Sequence, residues 1–195
     1  YEGRSFHDMD RDEMTGIRQE IGMLFQGSAL FDSLTVLENV MFPLKMFATS
    51  SKSEMEDRAH ICLDRVNIQD KDKLYPAELS GGMQKRVGIA RAIAMNPKYL
   101  FCDEPNSGLD PQTSIVIDEL IKEITEEFKT TTIVITHDMN SVMETGENII
   151  FIHEGRKWWQ GTRSELLESD NKELNEFIFA SGLMRQVKKA MTGRS

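Results

Sequence analysis

The sequence predicts an α/β fold with a mainly parallel sheet and an inserted helical segment. A long stretch, residues 29–97, has helical periodicity. A hairpin over Asn148–Gly161 and a weakly amphipathic helix over Asn175–Ala190 are expected near the end of the chain. Three short apolar runs have the length and composition of buried strands, and the last is rich in the β-branched residues typical of parallel strands: Ile21–Phe25, Tyr99–Cys102 and Thr130–Thr136.

Composition narrows the class of protein. With 195 residues the chain can bury one good core, so we predict a single domain, 1–195, with a core lobe (1–28 and 98–195) and a helical lobe (29–97). A net charge of −9 argues against a nucleic-acid partner and against a polybasic membrane anchor. No apolar run approaches the ~20 residues that span a bilayer. We therefore expect no direct membrane insertion, a cytoplasmic location, and two reduced cysteines.

Two segments are typical of phosphate chemistry. Leu79–Gln84, LSGGMQ, is called the signature motif here; its serine and two glycines begin a helical run, so backbone N–H groups can point unobstructed at an anion. The strand that starts at Tyr99 ends in Asp103 and Glu104. Adjacent acids at a strand end can deliver one carboxylate to a metal ion and the next to a water molecule. Together the two segments predict a nucleotide-hydrolysing site.

Three further positions have a structural interpretation beside a functional one. Gln26 follows the first strand in a polar turn, at a strand end where open α/β sheets place ligand-handling groups, yet a lone glutamine there is usually an ordinary loop residue. Asp110, in a Ser-Gly-Leu-Asp-Pro turn, could simply cap the helix Gln112–Phe128. His137 ends the third strand, where a lone histidine is more often structural.

In this order, LSGGMQ and YLFCDEP resemble the signature and Walker B motifs of the ATP-binding cassette (ABC) ATPases. The resemblance implies the RecA-like fold of P-loop NTPases, and an enzyme that binds and hydrolyses ATP with Mg²⁺. It implies that Asp103 holds Mg²⁺ through water and that Glu104 polarises the attacking water. Gln26 would contact both the Mg²⁺ and that water, and His137 would contact the γ-phosphate.

The same resemblance implies that the nucleotide is shared between two subunits. In a head-to-tail homodimer the signature motif of one subunit donates to the nucleotide on the P-loop of the other. The nucleotide contacts carried over from the family are Ser80, Gly81, Gly82, Gln84 and Asp110.

The P-loop motif itself, G-x-x-x-x-G-K-[ST], does not occur in the sequence. ABC domains place that loop, the Walker A motif, upstream of the Q-loop, whose glutamine corresponds to Gln26. We therefore expect a chain that is truncated at its N-terminal side and lacks Walker A. A chain truncated in this way would lack ATPase activity and bind ATP weakly, because the P-loop that makes the main contacts with the phosphates is missing. Without the P-loop strand, two strand edges would be unpaired, so we expect a poorly stable monomer.

The resemblance further implies a membrane permease as partner, contacted by the Q-loop and a groove on the helical lobe, and hence a location at the inner face of the cell membrane. Met41–Phe47 could belong to that groove or to the core.

The cargo class is suggested by a second resemblance. Ile21–Val40, with GMLFQ, ALFDSLTV and ENV, is similar to the ATPases of Mla/Mce-type phospholipid transporters, which implies lipid cargo. The alternatives are an importer of another solute, a soluble ABC ATPase outside transport, and a fragment that only self-associates.

Overall fold

The computed structural model describes residue 3 and residues 5–179, which fall into two compact units. The first unit comprises residues 1–137 and the second residues 138–195. The division into a core lobe and a helical lobe stays a prediction. Within the described part of the chain, no helix combines the length and the apolar character needed to cross a membrane.

The first unit contains a three-stranded parallel sheet. Its strands are β1 (Ile21–Leu24), β2 (Tyr99–Asp103) and β3 (Thr131–Ile135), in the order β1-β2-β3. The register pairs Asp103 with Ile135, so the strands end at one common edge of the sheet. The predicted parallel strands are confirmed.

Helices connect and cover these strands. Capping boxes set three of the helix starts: Asp10 with Glu13 before the helix from Arg11, Thr35 with Glu38 before the helix from Val36, and Ser51 with Glu54 before the helix from Lys52. Short 3-10 turns lie at Phe6–Asp8 and Pro76–Glu78. The α-helices of this unit are α1 (Arg11–Gln19), α2 (Val36–Phe47), α3 (Lys52–Arg65), α4 (Gly81–Ile93) and α5 (Pro111–Phe128).

One hydrophobic core joins the sheet to α2, α3, α4 and α5. The segment Met41–Phe47 is divided by this core: Met41 and Leu44 are buried in it, whereas Met46 is 59% exposed. The core interpretation therefore holds for the inner face of α2 only. Its largest fully buried side chains include Leu24, Val36, Leu63, Ile93, Leu100 and Ile124.

The second unit is built on a two-stranded antiparallel hairpin, as predicted. β4 (Ile149–His153) pairs with β5 (Arg156–Gly161), and Trp158 is exposed while Trp159 is half-buried. Of the helix predicted over 175–190, residues 175–178 are helical and residues 180–190 lie outside the described residues. Within residues 138–179, the helices of this unit are α6 (Met139–Thr145), α7 (Arg163–Glu168) and α8 (Lys172–Ile178).

Candidate active site

The candidate active site lies at the carboxyl edge of the parallel sheet. Gln26 follows β1, Asp103 ends β2 with Glu104 directly after it, and His137 follows β3. Because β2 is the middle strand, its two acids lie between the ends of the other strands. The fold thus gathers at one edge the four residues that the sequence assigns to catalysis and metal binding. Their catalytic roles stay predictions.

Glu104 and His137 are in direct contact. His137 Nδ1 lies 2.7 Å from Glu104 Oε1. The Glu104 side chain is 18% exposed, whereas that of His137 is 76% exposed. The Glu104 backbone is in the left-handed region, with φ at 46°, and its N–H donates to the carbonyl of Ile135 over 2.8 Å. The contact and the backbone bond hold a largely enclosed carboxylate in one direction, beside a ring that remains accessible.

A second feature is the turn over residues 26–29, called the Q-turn here, which follows β1. Ser28 and Ala29 have positive φ angles of 63° and 45°. Their carbonyls accept hydrogen bonds of 2.6 and 2.7 Å from the Arg91 guanidinium on α4. Burial lowers the pKa of Arg91. The Q-turn is therefore anchored to the helix that the signature motif begins.

Lys85, also on α4, is not among the site residues that the sequence predicts, because lysine is usually a surface residue. It is only 4% exposed, and its Nζ donates to the carbonyl of Gln26 and, over 3.1 Å, to the carbonyl of Glu104. Burial lowers the pKa of this ammonium, and the nearby carboxylates of Glu104 and Asp103 oppose that shift. The only sequence signal is a set of three cations, Lys85, Arg86 and Arg91, in a helical run that is otherwise mostly apolar.

The signature motif lies at the start of α4. Ser80 is the N-cap, and its Oγ accepts from the N–H of Met83 over 3.3 Å. A Cβ on Gly82 would lie 2.7 Å from Thr113 Cγ2, so this helix start packs against the first turn of α5. Gln84 Nε2 donates to the carbonyl of Pro76, which precedes the motif, at 3.0 Å and to the carbonyl of Leu79, the first residue of the motif, at 3.3 Å. The Gln84 amide thus stabilises the motif from within the chain.

Asp110 has the structural role that its turn predicts. It caps α5, where its Oδ1 accepts from the N–H of Thr113 over 3.0 Å and its Oδ2 from the Thr113 hydroxyl over 2.5 Å. These hydrogen bonds, led by that of the Thr113 hydroxyl, lower the pKa of Asp110. A contact between Asp110 and a nucleotide stays a prediction.

The residues at the strand ends fit a magnesium ion that is shared with phosphates. Among the described residues, no group of three or more His, Cys, Asp or Glu side chains could hold a metal ion. Mg²⁺ needs fewer protein ligands, since it is usually bound by one or two carboxylates together with substrate phosphates and water. Asp103 and Gln26, at neighbouring strand ends, supply a carboxylate and an amide oxygen of that kind.

Both cysteines are structural. Burial raises the pKa of Cys62 to about 11 and that of Cys102 to about 12. At neutral pH both are protonated thiols, and neither is a candidate nucleophile. They are free, as the sequence predicts.

Comparison with known proteins identifies the family. The family model described as ABC transporter matches residues 1–107. The methionine import ATP-binding protein MetN of Desulfitobacterium hafniense (strain Y51) is 43% identical over 91% of this chain and 52% of its own length. MetN 1 of Pseudomonas putida is 40% identical over 85% of this chain and 49% of its own length. The chain spans about half the length of these relatives.

Solved structures agree on the fold. The ATP-binding cassette MJ0796, in a dimeric post-hydrolysis state bound to ADP and Pi, matches with a TM-score of 0.74 and 37% identity, over 84% of this chain and 72% of that one. A second dimeric structure of MJ0796, a bacterial ABC transporter cassette, matches with a TM-score of 0.71 and 39% identity, over 81% of this chain and 69% of that one. The predicted ABC ATPase fold is confirmed.

These comparisons correct the expected cargo class. The relatives are named as methionine importers, so they do not support the resemblance to Mla-type phospholipid transporters, and they favour the solute-importer alternative. From its motifs, its fold and the matching family model, this chain belongs to the ABC transporter family, in its ATP-binding domain.

Proposed function

We propose that this chain is the ATP-hydrolysing subunit of a membrane importer for a small solute. The observation that carries the proposal is the 2.7 Å contact between Glu104 Oε1 and His137 Nδ1 at the carboxyl edge of the sheet. A carboxylate after the central parallel strand, oriented by an imidazole from the next strand, is suited to position a water molecule for attack on a γ-phosphate. Membership of the ABC transporter family supports the same chemistry.

Each residue at the strand ends then has a role in hydrolysis. Glu104 accepts a hydrogen bond from the attacking water and takes its proton as the bond from the water oxygen to the γ-phosphorus forms and the bond from that phosphorus to the leaving ADP oxygen breaks. His137 orients that carboxylate, and its exposed ring contacts the γ-phosphate. Asp103 and Gln26 would hold Mg²⁺, which would offset phosphate charge.

The signature motif serves a second nucleotide. Ser80 begins α4, and Gly81 and Gly82 leave its first N–H groups without covering side chains, which suits an anion at a helix N-terminus. The dimeric state of MJ0796 supports a head-to-tail homodimer, in which this motif donates to the nucleotide on the partner subunit. Hydrolysis is then a property of the pair, and the P-loop contacts come from residues that this sequence does not contain.

The names of the relatives support an amino acid as cargo, with methionine the first to test. The permease is the second partner of this subunit, and it holds the subunit at the inner face of the cell membrane. The proposed contact surface is the outer face of α2 beside the Q-turn. There Met46 is exposed, and the rings of Phe31 and Phe42 pack with their centroids 4.5 Å apart.

The test is Glu104→Gln in the complete gene product. The amide keeps the shape of the side chain but is a far weaker proton acceptor, so ATP binding should persist while turnover falls by about 10²-fold or more. ATP-bound dimers should accumulate, measured by light scattering after size exclusion. Glu119→Gln, an exposed acid on α5, is the matched control and should hydrolyse ATP like the wild type. Undiminished hydrolysis by the Glu104 variant would remove Glu104 from this role.

A further inference from the structure

Lys85 is a buried cation with no place in the roles described so far. Its side chain is 4% exposed, yet the two groups it binds are neutral peptide carbonyls, those of Gln26 and Glu104. Taking an ammonium out of water is costly, and an apolar side chain of similar volume would fill the same space without that cost. The position of this charge therefore needs an explanation beyond packing.

The two carbonyls bound by Lys85 belong to the two turns that present candidate catalytic side chains. One follows β1 and the other follows β2, and these strands are neighbours in the sheet. The backbone at Glu104 is left-handed, with φ at 46°, a conformation that a non-glycine residue keeps only when its surroundings hold it. A hydrogen bond from a charged donor is stronger than one between neutral groups. Lys85 thus restrains the peptide that directs the Glu104 carboxylate towards His137.

The same face of α4 holds the remainder of the Q-turn. Arg91 donates to the carbonyls of Ser28 and Ala29, as described above. Between the two cations, a Cβ on Gly88 would lie 2.8 Å from Leu24 Cδ1 and 3.3 Å from Ser28 Cβ, so the helix backbone lies directly against this turn. Lys85, Gly88 and Arg91 are spaced three residues apart along α4. Together they make the Q-turn and α4 one packed body.

We propose that Lys85 is a positioning residue for ATP hydrolysis: its ammonium holds the Gln26 and Glu104 carbonyls together and ties both to the helix that begins at the signature motif. This inference rests on the proposed function. If Ser80 binds the nucleotide of the partner subunit, then Lys85, in the second turn of the same helix, couples that binding to the position of the carboxylate that orients water. Lys85 itself touches neither water nor phosphate in this role.

The experiment compares Lys85→Met with Lys122→Met, an exposed lysine on α5, in the complete gene product. Methionine preserves length and removes the donors. Displacement of Glu104 by about 1 Å is expected to lower kcat by about 10²-fold, while KM for ATP stays close to the wild-type value. Because binding is retained and hydrolysis is slow, ATP-bound dimers should accumulate, as in Glu104→Gln. Lys122→Met should match the wild type in all three measurements.

Three outcomes would overturn the role of Lys85. The first is an unchanged kcat in Lys85→Met. The second is loss of ATP-dependent dimers together with a lowered melting temperature, which is the result of a purely structural residue. Lys85→Arg, which keeps a charged donor, should recover part of the lost kcat, and an arginine variant no more active than the methionine variant would also count against the role. A wild-type protein that fails to hydrolyse ATP would refute the proposed function, whereas an active wild type with an equally active Lys85→Met would refute only this inference.

Discussion

At the scale of single residues, the candidate site depends on the direction of one carboxylate. Glu104 has a left-handed backbone, which is held by the hydrogen bond from its N–H to Ile135 and by the bond that its carbonyl accepts from Lys85. Its side chain contacts His137. Because backbone and side chain are both constrained, the carboxylate is pre-organised before any substrate binds, which is the arrangement that general-base chemistry favours.

The chain offers a matched pair of histidines to test this arrangement. His137→Ala removes the ring that orients Glu104, and we expect hydrolysis to fall by about 10²-fold while ATP binding persists. His60 Nε2 also contacts a carboxylate, Asp72 Oδ2, at 3.0 Å, but on the surface of α3. His60→Ala should therefore leave turnover unchanged. Steady-state kinetics on both variants decides the matter, and equal losses of turnover would contradict the assignment of His137.

At the scale of secondary-structure elements, α4 is the helix that determines the site. It starts at the signature motif, carries Lys85 and Arg91, and packs its last turns on β1. That packing is very close: a Cβ on Gly22 of β1 would lie 2.3 Å from the carbonyl oxygen of Ala92. Since a backbone atom cannot move aside as a flexible side chain can, only glycine fits at this position.

Two glycine substitutions should therefore have opposite effects on stability. Gly22→Ala forces α4 away from β1, and we expect it to lower the free energy of unfolding by about 1–3 kcal/mol. At Gly16, inside α1, a Cβ would meet nothing within 4 Å. Gly16→Ala should raise the free energy of unfolding by about 0.5–1 kcal/mol, because alanine has the higher helix propensity. Urea denaturation measures both, and a Gly22→Ala variant as stable as Gly16→Ala would disprove the close packing of α4 on β1.

At the scale of the whole molecule, the exposed apolar surface shows where partners are expected. Met46 on α2 is 59% exposed, and Ile61 on α3 is 57% exposed. On β3, Ile133 and Ile135 are also exposed, although the β-branched run to which they belong predicts a buried parallel strand. Ile133 and Ile135 alternate with half-buried residues, so both side chains lie on the same face of the sheet, and none of the described residues fully covers that face at β3.

The proposed permease surface can be tested with two of these residues. Met46→Asp places a charge on an exposed position of the proposed groove, so we expect methionine uptake to fall while ATPase activity and fold are retained. Ile61→Asp is the matched control, equally exposed but on α3, and should leave uptake unchanged. Uptake of labelled methionine into vesicles that contain the complete transporter is the measurement. Wild-type uptake by Met46→Asp would place the permease elsewhere.

Much of the fold and most of the candidate site follow from the sequence, because they depend on residues close together in the chain. The helix caps at Ser80 and Asp110 are local features, each set by a hydrogen bond over three residues. The strand ends follow from where the apolar runs stop. The parallel order of the strands follows from their apolar runs and the long helical segments between them. Site residues placed after those strands were therefore predicted at the correct edge.

Only the tertiary structure decided which of these residues meet. The contact between Glu104 and His137 joins residues 33 apart in sequence, and the bond from Lys85 to the Gln26 carbonyl joins residues 59 apart. Such contacts depend on the register of strands and on the depth at which a helix packs, and neither is encoded by local periodicity. Lysine at position 85 resembles a surface residue until α4 packs on β1 and against the turns that follow β1 and β2. For the same reason the sequence could not separate the buried Met41 from the exposed Met46, whose difference arises only when one face of α2 joins the core.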